Sequence, residues 1–168
     1  MIEITEINID LDGVMVDFRK KALEVAGIVP EHDPNNKQLR RDFWKHIEMH
    51  VRSGKPFFGA MDPMEDAFVL WGYLLASGKP LVINSATGHI RGASEEKRYW
   101  VRKHLGHDAA NAARFVRDAV MKSQYAHHTK VLIDDRRKAI DPWVAAGGIG
   151  ILHTSAVETI EQLKLLGV

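Results

Sequence analysis

Two carboxylates one residue apart, Asp10 and Asp12, close the apolar run Ile7-Asn8-Ile9 and are followed by Gly13 and Val14. Alternate side chains of an extended chain share a face, so both carboxylates could enter one pocket at the end of a strand. Like charges that close repel, and a shared proton or a bound cation relieves the repulsion. Gly13 admits a sharp turn or the close approach of a ligand to the backbone. Two later apolar runs also end in polar groups: Ile83-Asn84 leads to Ser85-Ala86-Thr87, and Leu132-Ile133 leads to Asp134-Asp135.

This set suits phosphoryl transfer. Asp10, the Asp12 carbonyl and Asp134 make an oxygen-donor site for magnesium, an ion that takes few protein carboxylates and completes its shell with phosphate and water. One carboxylate is then free to attack phosphorus and form an acyl phosphate. Asp12 could protonate the leaving oxygen and later deprotonate the attacking water. The Ser85 hydroxyl and the Lys122 ammonium would neutralise the non-bridging oxygens. Lys130 is the rival for Lys122, but it immediately precedes a strand and so lies at the end remote from the site. Thr87 is the rival for Ser85, which sits nearer the strand end. Asp135 either caps the next helix or reaches the metal through water.

The elements that must position these groups fall into two kinds. Helical patterns are expected over 17–26, ended by Gly27 and Pro30, over 38–51 with Leu39, Phe43, Trp44 and Ile47 on one side, and over 63–76 with Ala67, Leu70, Trp71, Leu74 and Leu75. A polar loop over 31–37 and a turn-rich link over 53–59 separate them. Residues 15–76 hold no convincing strand and are expected to form a small helical cap inserted into a core made of 1–14 and 77–168. In that core, strands over 80–84, 113–117, 131–133 and 148–152 alternate with helices over 94–105, 136–146 and 157–166, and a short turn is expected at 122–126. Short apolar runs separated by helices imply an α/β fold, a Rossmann-like parallel sheet with helices on both faces. Ligands of such open sheets bind at the carboxyl ends of the strands, where all three polar endings fall.

Composition narrows the classes. A chain of 168 residues is long enough for one domain and a small insertion. Its 23 Lys and Arg against 22 Asp and Glu give no overall basic footprint, so no nucleic-acid partner is expected. The absence of cysteine removes disulfides, thiolate metal sites and cysteine nucleophiles. No apolar run is long enough to span a bilayer, and the first residues carry acid where a signal peptide carries base, so a cytoplasmic protein without a membrane partner is expected. His46 and His50 share a helix face but lack a zinc-protease pattern, and Gly147-Gly148-Ile149-Gly150 follows a helix and reads as a helix stop.

Asp10-Leu11-Asp12-Gly13-Val14, Ser85 after a hydrophobic strand, Lys122, and Asp134-Asp135 resemble, in order and spacing, the four motifs of the haloacid dehalogenase-like phosphatases. The resemblance implies Asp10 as nucleophile and a requirement for Mg2+, with Asp10, Asp12, Asp134 and Asp135 around the metal. Asp17-Phe18, Arg40-Arg41-Asp42-Phe43-Trp44, Phe57-Phe58, Met61-Asp62-Pro63 and Asp134-Asp135-Arg136 are similar to the 5′(3′)-deoxyribonucleotidase branch. That branch implies an aromatic nucleobase slot at Phe18, Phe43 and Trp44, with Ala86 as a further substrate contact. Ser85 stands where the branch commonly has Thr. The expected partner is a small phosphomonoester, and a homodimer is left open. Another phosphorylated metabolite or a nucleic-acid terminal phosphate is the second enzyme reading, and a module that binds nucleotide or magnesium without catalysis is the third.

Overall fold

In the computed structural model, which describes residues 2–29 and 35–168, the apolar runs form five strands: β1 (Glu6–Ile9), β2 (Leu81–Ala86), β3 (Arg114–Val116), β4 (Lys130–Asp134) and β5 (Ile149–Leu152). All are parallel, in the order β3-β2-β1-β4-β5. The central strand β1 is the run that ends at Asp10. Ile9 pairs with Ile83 on one side and Ile133 on the other, which sets the three polar endings side by side. Ile7 and Ile9 are completely buried, and burial of each contributes roughly 2 kcal/mol relative to exposure.

Among the described residues seven helices connect and cover the strands: α1 (Phe18–Ala26), α2 (Lys37–Arg52), α3 (Ala67–Ala76), α4 (Ala93–Leu105), α5 (His107–Ala112), α6 (Arg137–Ala145) and α7 (Ala156–Leu165). On one face, α6 and a 3-10 turn (Ala119–Tyr125) pack Ala119, Ala139, Ile140 and Trp143 on Leu132. On the other face, α3, α4, α5 and α7 bury Leu70, Trp100, Ala110 and Leu163 with Ile7, Ile9, Ile83 and Ile133. The helix α3 lies within 15–76 and packs on α7, while α1 packs on α2.

Several boundaries differ from expectation. The helix expected over 63–76 starts at Ala67, because Pro63 pairs with Val16, Met64 N–H donates to the Met15 carbonyl, and the Asp66 carboxylate accepts from Ala156 N–H. Strand β2 runs two residues beyond the expected 80–84, because Ser85 and Ala86 pair with Phe115 and Val116. Helix α5 was not expected, since Gly106 reads as a stop; there it ends one helix and begins the next. The turn expected at 122–126 belongs to a longer 3-10 segment. Pro30 and most of the loop expected over 31–37 lie outside the described residues, and Lys37 already belongs to α2.

Candidate active site

Immediately after β1 the chain wraps one tight turn around the Leu11 carbonyl, which accepts from Val14, Met15 and Val16 N–H. This turn keeps Asp10 and Asp12 at the strand end while sending the chain toward α1. Gly13 sits there with φ +80°, and a methyl group on it would lie 2.6 Å from Asp135 Cγ. Glycine is therefore required twice, by the backbone conformation and by the closeness of that carboxylate.

Asp10, Asp134 and Asp135 each bring one oxygen to within 4.8 Å of the others, the set that could hold a metal ion among the described residues. Lys122 reaches the same place from the 3-10 turn: its buried Nζ lies 2.8 Å from Asp10 Oδ1 and 2.6 Å from Asp134 Oδ2. Asp134 Oδ1 accepts from Arg136 N–H at 3.0 Å. Burial works against the Lys122 charge, but Asp10 and Asp134 outweigh it and raise its pKa.

A second lysine enters from the opposite layer. Lys97 of α4 is 2 % exposed, and its Nζ donates to Asp12 Oδ2 at 2.6 Å, Ser85 Oγ at 3.0 Å and the Ala86 carbonyl at 2.7 Å. Sequence reasoning missed it. The signal was present, since Ala93, Lys97, Trp100 and Val101 recur at helical spacing and all four are buried. A lysine on an apolar helix face must find anionic or carbonyl partners, and here they are the site itself.

Four carboxylates thus face two buried ammonium groups, and the imbalance shows in the titration of the acids. Burial, then the charge of Asp10, lifts Asp134 to about 6 against the pull of Lys122. Burial, then Asp10 and Asp134, lifts Asp135 to about 8, although part of its side chain meets solvent. Burial also raises Asp12, with Lys97 opposing and Asp10 adding to the rise. A divalent cation among these hard oxygen donors would supply the missing positive charge, so the residues fit such an ion.

Other candidates are placed as follows. Lys130 opens β4 and pairs with Glu6 at 3.2 Å, at the amino end of the sheet. Thr87 donates to the Val116 carbonyl. Phe43 is fully buried, packed on Phe18 and Trp44 with ring centroids 6.0 and 4.9 Å away. Phe18 and Trp44 keep part of their surface, and Trp44 contacts His89 across a surface cavity of about 260 Å3 that Arg40, Arg41, Lys45 and Glu48 also line. No helix among the described residues is long and apolar enough to cross a membrane.

A parallel sheet whose central strand ends in Asp10 and Asp12, with a serine and an acidic pair on the flanking strand ends, defines a hydrolase of the haloacid dehalogenase-like superfamily, an enzyme of the phosphatase and nucleotidase type. Over residues 3–162 the chain matches the family described as 5′ nucleotidase, deoxy (pyrimidine), cytosolic type C protein, and it belongs to that family. No curated protein matches it by sequence. Among solved structures it is similar to a haloacid dehalogenase-like hydrolase from Streptococcus pneumoniae, with 14 % identity, 99 % of both chains covered and a TM-score of 0.64. A family hydrolase from Deinococcus radiodurans with bound phosphate and sodium has 16 % identity, 96 % of this chain and 89 % of that one covered, and a TM-score of 0.58. A Bacillus subtilis hydrolase of the superfamily, bound to magnesium, has 12 % identity, 99 % and 100 % covered, and a TM-score of 0.57. At these identities the likeness concerns the fold.

Proposed function

We propose that this chain is a magnesium-dependent phosphomonoesterase that hydrolyses deoxyribonucleoside monophosphates through an aspartyl phosphate on Asp10. The observation that carries the reading is the convergence of Asp10, Asp134 and Asp135 with Lys122 and Lys97 at one edge of the sheet. Membership of a deoxynucleotidase family supports the substrate class, and the magnesium and phosphate seen in distant relatives support the ion.

Asp10, Asp134 and Asp135 would hold magnesium, with the Asp12 carbonyl as a further donor. The ion supplies positive charge to the transferring phosphoryl oxygens. An Asp10 carboxylate oxygen attacks phosphorus as the bond to the leaving oxygen breaks, and Asp12 gives its proton to that oxygen. Asp12, now a carboxylate, takes a proton from water, which attacks phosphorus and frees Asp10 and inorganic phosphate. Burial raises its pKa, the direction the first step needs, and Lys97 holds its Oδ2 at 2.6 Å. Ser85 and Lys122 supply donors to the non-bridging oxygens, while Lys97, whose three N–H groups go to Asp12, Ser85 and the Ala86 carbonyl, adds positive charge beside them. Trp44 and Phe18 offer ring surface to a nucleobase, and Phe43 backs them from the core. The reading takes the enzyme to be cytoplasmic; every group named comes from one chain, so it holds for a monomer or a homodimer.

The test is phosphate release from deoxynucleotides, ribonucleotides, sugar phosphates and 5′-phosphorylated oligonucleotides, with magnesium and with a chelator. Magnesium-dependent release highest with deoxynucleotides supports the proposal. Release confined to sugar phosphates overturns the substrate, and none from any ester overturns the enzyme.

A further inference from the structure

Two successive side chains of α4 serve different neighbours. Glu96 Oε2 accepts from Phe57 N–H at 2.9 Å and from Gly59 N–H at 3.0 Å, a charge-assisted pair of bonds on the segment that leads out of α2. Between those two residues, the Phe58 ring lies with its centroid 4.9 Å from Lys97 Nζ. Lys97 is in turn bound to Asp12 and Ser85. Phe57 meets Phe18 edge-on at 5.8 Å, so the same short turn joins the aromatic cluster of α1 and α2 to the lysine beside the acid.

We infer that Glu96 is a positioning residue for proton donation by Asp12. The carboxylate pins the 57–59 turn, the turn holds the Phe58 ring face against the Lys97 ammonium, and that ammonium holds Asp12 Oδ2 and so fixes the carboxyl group that must hand its proton to the leaving oxygen. A cation over an aromatic face is held by the ring quadrupole and shielded from water, which narrows the positions Lys97 can take. Without the pin, Lys97 and Asp12 gain freedom, and the transfer of the Asp12 proton to the leaving oxygen slows as the phosphorus–oxygen bond breaks. Glu96 touches no reacting atom. The inference rests on the phosphatase reading above.

The experiment compares kcat/KM for deoxythymidine 5′-monophosphate and for its 5′-S-bridged phosphorothiolate, with magnesium, in wild type, Glu96→Ala and Glu96→Gln. The two esters share a shape, but the thiolate leaves without a proton. Glu96→Ala should lower kcat/KM about tenfold on the oxygen ester and less than about threefold on the sulfur ester. Gln, whose amide oxygen can accept both N–H groups, should restore the oxygen ester to within about threefold. Equal losses on the two esters, or a Gln variant as impaired as Ala, overturn the inference. If Glu96→Ala does not fold by thermal melting, Phe58→Leu takes its place: selective loss on the oxygen ester supports the proposal, equal loss refutes it. A wild type inert toward both esters refutes the phosphatase reading, a result distinct from either.

Discussion

Lys97 Nζ lies 2.6 Å from Asp12 Oδ2, an ion pair between the middle of α4 and a loop 85 residues earlier. It joins the layer of helices on one face of the sheet to the strand edge where Lys122 arrives from the other face. The two lysines divide the acids between them: Lys122 faces Asp10 and Asp134, and Lys97 faces Asp12.

Replacing Lys97 by Met keeps the length and removes the charge. The Asp12 carboxylate and the Ser85 hydroxyl lose their shared donor, so kcat/KM should fall by about a hundredfold or more, and stability by about 3 kcal/mol. Steady-state kinetics with a denaturant melt measure both. A fully active Lys97→Met enzyme would remove the residue from the site's chemistry.

Gly13→Ala should act through the ion. The added methyl collides with the Asp135 carboxylate and strains the φ +80° backbone, so Asp135 must move away from Asp10 and Asp134. The magnesium concentration for half-maximal activity should rise about tenfold, with the far-ultraviolet circular dichroism unchanged. An unaltered magnesium titration would show that Asp135 does not contribute to ion binding.

Asp10→Asn removes the attacking oxygen anion and one charge from a crowded acidic group. Turnover should drop by a factor of about 10^4 or more, while the melting temperature holds or rises because Asp134 and Asp135 lose a repelling neighbour. Retained hydrolysis would reassign the nucleophile.

At the amino end of the sheet, Glu6 predicts an acid limb in stability. Burial alone would raise its pKa, but hydrogen bonds from Arg114, Asn8 and Lys130 and the Arg114 charge bring it from 4.5 down to about 2. A depressed folded-state pKa means the contribution is complete above about 4.5 and fades as pH falls toward 2. Its upper size is about 3 kcal/mol. The stability gap between wild type and Glu6→Gln, measured by urea melts, should therefore be widest near neutrality and close as pH falls through that window. A gap that is constant from pH 6 to pH 2.5 would contradict this assignment.

Asp10, Asp12, Ser85, Asp134 and Asp135 were legible along the chain because each follows an apolar run, and parallel strands gather such endings at one edge. The unexpected α5 was hidden because Gly106 satisfies a helix stop and a helix start alike. Expectation also failed at 63–66, where residues with a helical pattern are drawn into hydrogen bonds with the 15–17 loop and α7. Local propensity cannot register a partner that is distant in sequence.

By itself the amino-acid order determined the alternating fold, the family likeness and the acidic strand endings, since these depend on periodicity and short spacing. Only the folded chain decided that Lys97 rather than open solvent meets Asp12, that Glu96 grips the 57–59 turn, and that Phe43 is closed within the core while Trp44 keeps a free face. Those outcomes depend on which helix layers meet at the sheet edge, and a buried charge takes whatever partner that meeting provides.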